Sequence, residues 1–339
     1  MDKSRRIVIL GKTGAGKSSL VNTLLGKDLF KVNHTAISGT SKCQAETKSV
    51  KGRRLTLIDT PGFFDTNTPE EQLKPEIVRC IIECAPGPHA FLILLKVEKF
   101  GEHEQAVIDK IKRYFSEEAF RYATVVFTHG DQLQEGQTIE DFIHENENLR
   151  DLVKKCSGRC VVIDNKYWNK KDEYRSNEVQ VEKLLKVIDK MIKDNKNGCY
   201  TNETLQAVEE KIQQEMETIK QSSGSMSEQE IRTKAKHSVW KKLLTIFTGV
   251  IVGALIGAFL GAAMMVRITF GKNCPLAPSV KTWVASAAVG AVIGGGAGFV
   301  AAYEAETPKE AAIKAAKSVY DEVNDVTGGL SLLQIKKGK

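Results

Sequence analysis

Cysteines at metal-type or redox-type spacing are missing from this 339-residue sequence. The seven that it has, Cys43, Cys80, Cys84, Cys156, Cys160, Cys199 and Cys274, are odd in number and never fall as C-x-x-C. That excludes a fully paired disulfide framework and offers no zinc pattern; reduced thiols are the expectation. Massed basic residues with interleaved aromatics are also missing, and a net charge of +7 spread along the chain speaks against nucleic acid as a partner. The N-terminus, MDKSRRIVIL, lacks the basic-then-apolar run and small-residue cleavage site of a secretory signal, so a cytosolic domain is expected. Acidic residues disappear between 243 and 303, where Arg267, Lys272 and Lys281 are the only charged side chains. The residues before this stretch are rich in charge, so the chain is suited to two physical environments.

In the charged part, apolar runs alternate with amphipathic ones. Ile7–Leu10, Leu55–Ile58, Phe91–Leu95, Thr124–Phe127 and Cys160–Ile163 read as buried strands. Glu70–Cys84, His103–Phe115, Ile139–Cys156 and Glu178–Ile192 carry apolar residues at helical spacing. The rhythm predicts an α/β domain, a mostly parallel sheet with helices on both faces. Cys43–Val50 and Arg53–Ile58, joined at Lys51-Gly52, predict a hairpin that adds one antiparallel edge strand.

The first strand runs into GKTGAGKS, Gly11 to Ser18, and then into a helical pattern. Every fixed position of a P-loop is filled, in the strand-then-helix context that the motif needs. Glycines let the backbone N–H groups of Gly11, Thr13, Gly14, Ala15, Gly16, Lys17, Ser18 and Ser19 curl toward phosphate oxygens. Lys17 is placed to reach the β and γ phosphates, and Ser18 to ligate Mg²⁺. DTPG, Asp59 to Gly62, follows at the end of a strand, where the carboxylate can hold the metal and the Gly62 N–H can sense a γ-phosphate. Thr40, in SGTSKC, is the candidate for a third metal contact from a loop ordered by that phosphate; an ordinary loop threonine is the alternative. In FTHGDQL, Asp131 can accept from guanine N1–H and N2–H₂ together, whereas it would repel the lone pair of adenine N1. Thr128 and His129 stand in the first two places of the usual N-K-x-D; His129 reads either as a stacking partner for the base or as a surface-loop histidine. Asn165, in IDNK, reads either as a base contact or as a capping or turn residue. The cofactors so implied are GTP or GDP with Mg²⁺.

GKTGAGKSS, SGTSKC, DTPGFFDT, CAPGPHAFLILL, FTHGDQL and CSGRCVVIDNK together resemble the GTPases of immunity-associated proteins, the GIMAP family, relatives of septins and of the chloroplast import GTPases. The resemblance covers about residues 5 to 195, and PGPHA, Pro86 to Ala90, is its most telling piece. It implies a G domain over residues 1–195 that binds guanine nucleotides and associates with copies of itself or with other family members, often on the cytosolic face of an intracellular membrane. Two departures bear on catalysis. Phe63 stands where Ras-like enzymes use a water-orienting glutamine, so slow intrinsic hydrolysis is expected. Lys99 is the nearest match to an arginine that some family members carry in the conserved box, and an ammonium cannot make that planar two-pronged contact. Lys17, Thr40 and Lys99 are thus only weak candidates for catalytic residues.

Residues 196–242 read as a helical connector. Leu205, Val208, Ile212, Met216 and Ile219 share one helix face, QSSGSMS breaks the pattern, and a second helix carries Lys234, Lys236, Lys241 and Lys242. The run is too short for a convincing coiled coil, so packing on the G domain is expected, and the lysines are placed to meet anionic headgroups or solvent. Leu243–Val266 is uncharged and, as a helix, about 36 Å long; Trp283–Tyr303 gives about 31 Å, both enough for a bilayer core of about 30 Å. Gly249, Gly253, Gly257 and Gly261 share a face, as do Gly290, Gly294 and Gly298, which suits close helix packing in lipid. A glycine-rich hydrophobic hairpin over 243–303, with a 304–339 tail returned to the cytosol, is expected; a buried helical pair in a larger core is the soluble alternative. The positive loop between the spans also leaves a re-entrant hairpin open. Three functions fit: a membrane-anchored GTP switch or scaffold, an active GTPase stimulated by dimerisation, and a GTP-gated effector that perturbs membranes through the hairpin. A full crossing predicts that Cys274 in sealed vesicles is shielded from a thiol reagent added on the cytosolic side.

Overall fold

The computed structural model describes residues 4–26, 43–64, 70–165, 167–168, 174–222, 226–246, 255–256 and 259. Among the described residues six strands form one sheet in the order β2-β3-β1-β4-β5-β6. These are β1 (Arg5–Gly11), β2 (Gln44–Val50), β3 (Arg53–Asp59), β4 (Ala90–Lys96), β5 (Ala123–Thr128) and β6 (Cys160–Val162). All neighbours are parallel except β2, which pairs antiparallel with β3 as the edge hairpin, Val50 opposite Arg53. Its solvent-facing sequence, QAETKSV, explains the edge position, whereas AFLILLK of β4 is buried on both faces. The fold is the mostly parallel α/β sheet that the alternating runs predict.

Strand alternation divides the core in two. Ile7, Ile9, Leu57, Leu92 and Leu94 face α1 (Lys17–Leu25) and α7 (Asn177–Asp194). Val8, Leu10, Ile58, Phe91, Ile93 and Phe127 face the other layer, which includes α2 (Glu70–Cys84) and α3 (Glu102–Tyr114). After α4 (Glu117–Arg121), which is capped by Ser116, the stretch expected as one helix over 139–156 is two: α5 (Ile139–His144) and α6 (Glu147–Lys155). The Asn146 side chain accepts the Leu149 N–H at 3.1 Å and starts a new helix where apolar spacing alone shows continuity.

The connector is a helical pair, α8 (Glu203–Ser222) and α9 (Glu228–Ile246), packed on α2. Leu205, Val208, Ile212 and Met216 of α8 and Ile231, Ala235, Val239 and Leu243 of α9 join the core of that face. Arg232 pairs with Glu209 at 2.6 Å, Lys236 with Glu83 at 2.8 Å, and Lys242 with Glu215. Trp240 Nε1 donates to the Pro75 carbonyl at 3.2 Å, beneath the Arg79 guanidinium. Lys236 and Lys242, expected at a lipid or solvent face, are therefore held by acids of the protein itself. Lys234 contacts Met226 Sδ at 3.4 Å.

The chain enters α8 through the PGPHA box. Tyr200 N–H donates to Pro88 O at 2.9 Å and Thr201 Oγ1 to Pro86 O at 2.8 Å. Arg6 Nε donates to Gly87 O at 2.7 Å, and Arg6 N–H to His89 Nδ1 at 2.9 Å. A Cβ on Gly87 would lie 1.7 Å from the Tyr200 carbonyl oxygen, so only glycine admits this approach.

Leu255, Ile256 and Phe259, expected in the first membrane segment, are instead buried in the core of the α2 face, and Leu243 to Ile246 belong to α9. Among the described residues no helix is long and apolar enough to cross a membrane. The second segment, 283–303, its loop with Cys274, and the 304–339 tail lie outside the described residues.

Two outcomes follow from the box. Gly87→Ala is expected to destabilise the chain by about 2–4 kcal/mol in denaturant titration, because backbone must move on both sides. Gly52→Ala, in open space at φ +79°, is expected to lose only about 1 kcal/mol. His89 is pushed down to about 4 by burial and by the charges of Arg6 and Arg5. The unfolded imidazole then binds a proton more readily, so stability is full above a pH of about 6.5 and declines as pH falls toward 4. Melting temperatures across that range should fall less steeply in His89→Asn.

Candidate functional site

The P-loop joins β1 to α1 and is squeezed from both sides. A Cβ on Gly11 would lie 2.9 Å from Leu94 O, and one on Gly16, at φ +86°, would lie 3.1 Å from Asn165 Nδ2. Gly14, at φ +76°, is exposed at the tip, with Lys96 Nζ 4.0 Å from where its Cβ would be. Thr13 and Ala15 complete the turn, and Ala15 N–H closes on Lys12 O at 3.2 Å. The buried Lys17 side chain folds back over the loop and donates to Gly11 O at 3.1 Å and Lys12 O at 3.0 Å. Its ammonium is thus held over the space that the loop encloses. Lys12 Nζ points the other way, to Glu98 at 3.0 Å and Glu104 at 2.8 Å, and ties the loop to the turn after β4.

Ser18 Oγ donates to Asp59 Oδ2 at 2.6 Å. Asp59 has no solvent exposure, and its Oδ1 has no hydrogen-bond partner. Burial pushes this carboxyl up, against the opposing pull of the Lys17 ammonium, the Ser18 hydroxyl and the Thr60 N–H. A buried carboxylate oxygen without a donor, next to a serine hydroxyl, is a hard oxygen pair that fits a small divalent cation such as Mg²⁺. Thr60 Oγ1 anchors the turn on Ile9 O at 2.6 Å, and Gly62 is buried just after it. Phe63 turns its ring into the core, against Phe259, so position 63 presents no polar group to the loop. Thr40 lies outside the described residues.

At the end of β5, Thr128 Oγ1 donates to Ala15 O at 2.9 Å. A hydroxyl in the first place of the base loop therefore ties that loop to the P-loop. His129 adopts φ +59° with Nδ1 3.0 Å from Thr128 Oγ1, and burial, then Lys96, holds its imidazole below its ordinary value. With Lys99 and Lys96 it lines an open groove of about 400 Å³, so Lys99 is beside this loop. Asn165 Oδ1 accepts Thr23 Oγ1 of α1 at 2.9 Å, and its amide nitrogen lies over Gly16. Thr23 in turn shares its hydroxyl with Ser19 O at 2.9 Å, so Ser19 and Asn165 meet through one side chain.

Asp164 is the residue that the motif reading passes over. It is buried, and its carboxylate accepts the Asp131 N–H at 3.2 Å and the Tyr167 N–H. Asn177 Oδ1 in turn accepts the Asp164 N–H at 3.1 Å. Burial and the neighbouring Asp164 push the Asp131 carboxyl up, while Gln132 Nε2 donates to it at 2.8 Å. Trp168 packs on Gly130, where a Cβ would lie 2.6 Å from its ring, and fixes the loop from below. An acid one residue before Asn165 was the available signal, but it carries weight only once its backbone partners are known.

The AIG1 family profile matches residues 5–221. The chain belongs to the AIG1 family. This agrees with the motif resemblance, and the match runs past residue 195 to the end of α8. The AIG1 chain is 33% identical over 210 residues to immune-associated nucleotide-binding protein 9 of Arabidopsis thaliana, covering 61% of this chain and 60% of that protein. It is 31% identical over 193 residues to GTPase IMAP family member 8 of Mus musculus, covering 56% of this chain and 27% of that one. Among solved structures, Toc33 from Arabidopsis thaliana with GDP and Mg²⁺ is similar at 21% identity and TM-score 0.44, over 57% of this chain and 86% of that one.

Asp164→Ala removes the acceptor of two backbone N–H groups from a buried position, so a loss of about 1–2 kcal/mol is expected. Hydrogen exchange at Asp131 and Tyr167 should accelerate, while amides of β1 keep their protection.

Proposed function

We propose that this AIG1-family chain is a guanine-nucleotide switch. It binds GTP or GDP with Mg²⁺, hydrolyses GTP slowly, and associates through its G domains when GTP-loaded. The observation that carries the reading is the meeting of Lys17, Ser18 and the donor-less Asp59 Oδ1 around one glycine loop, with Asp131 tied to that loop's neighbourhood through Thr128 and Asp164. The P-loop N–H groups and the Lys17 ammonium bind and orient the polyphosphate, and the Asp131 carboxylate selects a base with two N–H donors. The metal, when bound by Ser18 and Asp59, supplies charge to the β and γ oxygens. The apolar Phe63 leaves the attacking water unoriented, which supports slow turnover. The names of the relatives, immune-associated nucleotide-binding protein and GTPase IMAP family member, support the same chemistry and an immunity-associated setting. The uncharged stretch of 283–303 supports anchoring on the cytosolic face of an intracellular membrane.

A second reading is an enzyme stimulated by dimerisation; it would need Lys99, in the open groove beside His129, to act without the two-pronged contact of an arginine. Titration should give GTP and GDP affinities at least about a hundredfold above ATP, and chelation of Mg²⁺ should weaken both. Asp131→Asn should move the preference to xanthine nucleotides; equal ATP and GTP binding would defeat the assignment. Sedimentation of the full chain in detergent should show a larger species with a non-hydrolysable GTP analogue than with GDP. Turnover that rises with protein concentration, and is lost in Lys99→Ala, would favour the second reading.

A further inference from the structure

β2 is the outer strand of the sheet, and among the described residues β3 is its only strand partner. Val50 and Arg53 flank a two-residue turn, Lys51 at φ +45° and Gly52 at φ +79°, which makes them a hydrogen-bonded pair. Bonding alternates along an antiparallel ladder. Gln44, Glu46, Lys48 and Val50 therefore bond to β3, while Ala45, Thr47 and Ser49 direct their N–H and C=O groups to the open side. The hydroxyls of Thr47 and Thr56, opposed residues, lie 2.8 Å apart, as the closer side chains of a non-bonded pair should. Apart from Val50, every residue of β2 is exposed or half-buried.

Charges on an edge strand usually guard it against pairing. Here they have opposite signs and are symmetric about Thr47. Glu46 precedes it and Lys48 follows it on one face of the strand, with Lys48 Nζ 3.0 Å from Glu46 Oε1. We propose that β2 pairs antiparallel with β2 of a second copy of this chain, about a twofold axis at Thr47. Thr47 then faces Thr47 of the second copy and Ala45 faces Ser49, each pair exchanging both N–H···O bonds. Glu46 falls opposite Lys48 in the non-bonded pairs between them, where side chains lie closest, so the charges of the two strands alternate in sign. A slip of two residues either way sets Lys48 against Lys48 or Glu46 against Glu46, so the same charges reject the wrong registers. The contact is self-complementary, as a twofold interface must be. It does not rest on the GTP-dependent association proposed above, because none of its groups belongs to the P-loop or the base loop.

The test uses the full chain with GDP, in detergent, followed by sedimentation and amide hydrogen exchange at rising protein concentration. The N–H groups of Ala45, Thr47 and Ser49 should gain protection as the dimer forms, while those of Glu46, Lys48 and Val50 are protected throughout. Glu46→Lys and Lys48→Glu lie on the surface and leave the fold intact, since an exposed ion pair contributes little to it. Each should weaken the dimer about tenfold, and an equimolar mixture of the two should restore it, because every lysine then meets a glutamate. Thr47→Pro, which removes an N–H that β3 does not use, should abolish the dimer without unfolding the chain. Protection at Ala45, Thr47 and Ser49 that is independent of concentration would mean that the same chain covers the edge, and overturns the proposal. Fast exchange there at every concentration, or a mixture no tighter than its parts, also overturns it. A dimer seen only with a non-hydrolysable GTP analogue overturns the edge pairing and leaves the switch reading standing; a GDP dimer that does not grow with the analogue does the reverse.

Discussion

A carboxylate with no exposure at the end of β3 sets the terms for its surroundings. Asp59 can stay charged there only with compensation, and the chain supplies it in part: an ammonium nearby, a hydroxyl on Oδ2, the Thr60 N–H, and nothing on Oδ1. That unfinished arrangement demands a loop tight enough to bring Lys17 and Ser18 within reach, which in turn demands glycine at 11 and 16. It also demands that β1, β3 and β4 stay in register beneath. The parallel pairs Ile9 with Asp59 and Gly11 with Leu94 give that register. A small divalent cation with its phosphate would complete what the protein leaves open.

The PGPHA box takes no part in that chemistry. It is the point at which the chain, having finished the sheet, crosses back to begin α8, and its carbonyls are the hydrogen-bond acceptors for Tyr200 and Thr201. Through α8 and α9 the box is connected to α2, the helix that follows the DTPG turn. Box and connector are thus one structural unit, in keeping with a family match that continues through α8.

Most of the sheet was legible because its strands are buried on both faces and stand out as apolar runs: Phe91–Leu95 against the observed Ala90–Lys96 is typical. The glycine loop and its meeting with Asp59 were legible because the motif spacing sets both at strand ends, and Lys17, Ser18 and Asp59 do come together there. What escaped did so for definite reasons. Asn146 serves equally in a helix pattern or as a cap, so the break between α5 and α6 has no periodic mark. Asp164 acts through backbone donors brought together by folding, one of them 33 residues away. Hydrophobicity does not tell a protein core from lipid, so Phe259 carried no sign of its seat beside Phe63. Lys236 and Lys242 found Glu83 and Glu215, partners that no local window contains.

The neighbourhood of Asp131 and Asp164 has one more consequence. Two acids share this loop, the inner one bound to the outer one's backbone, and the outer carboxyl is pushed up by burial and then by the inner acid. Asp164 thus acts twice on its neighbour, fixing where Asp131 sits and biasing how readily it holds a proton, so that shape and charge in this corner cannot be altered separately.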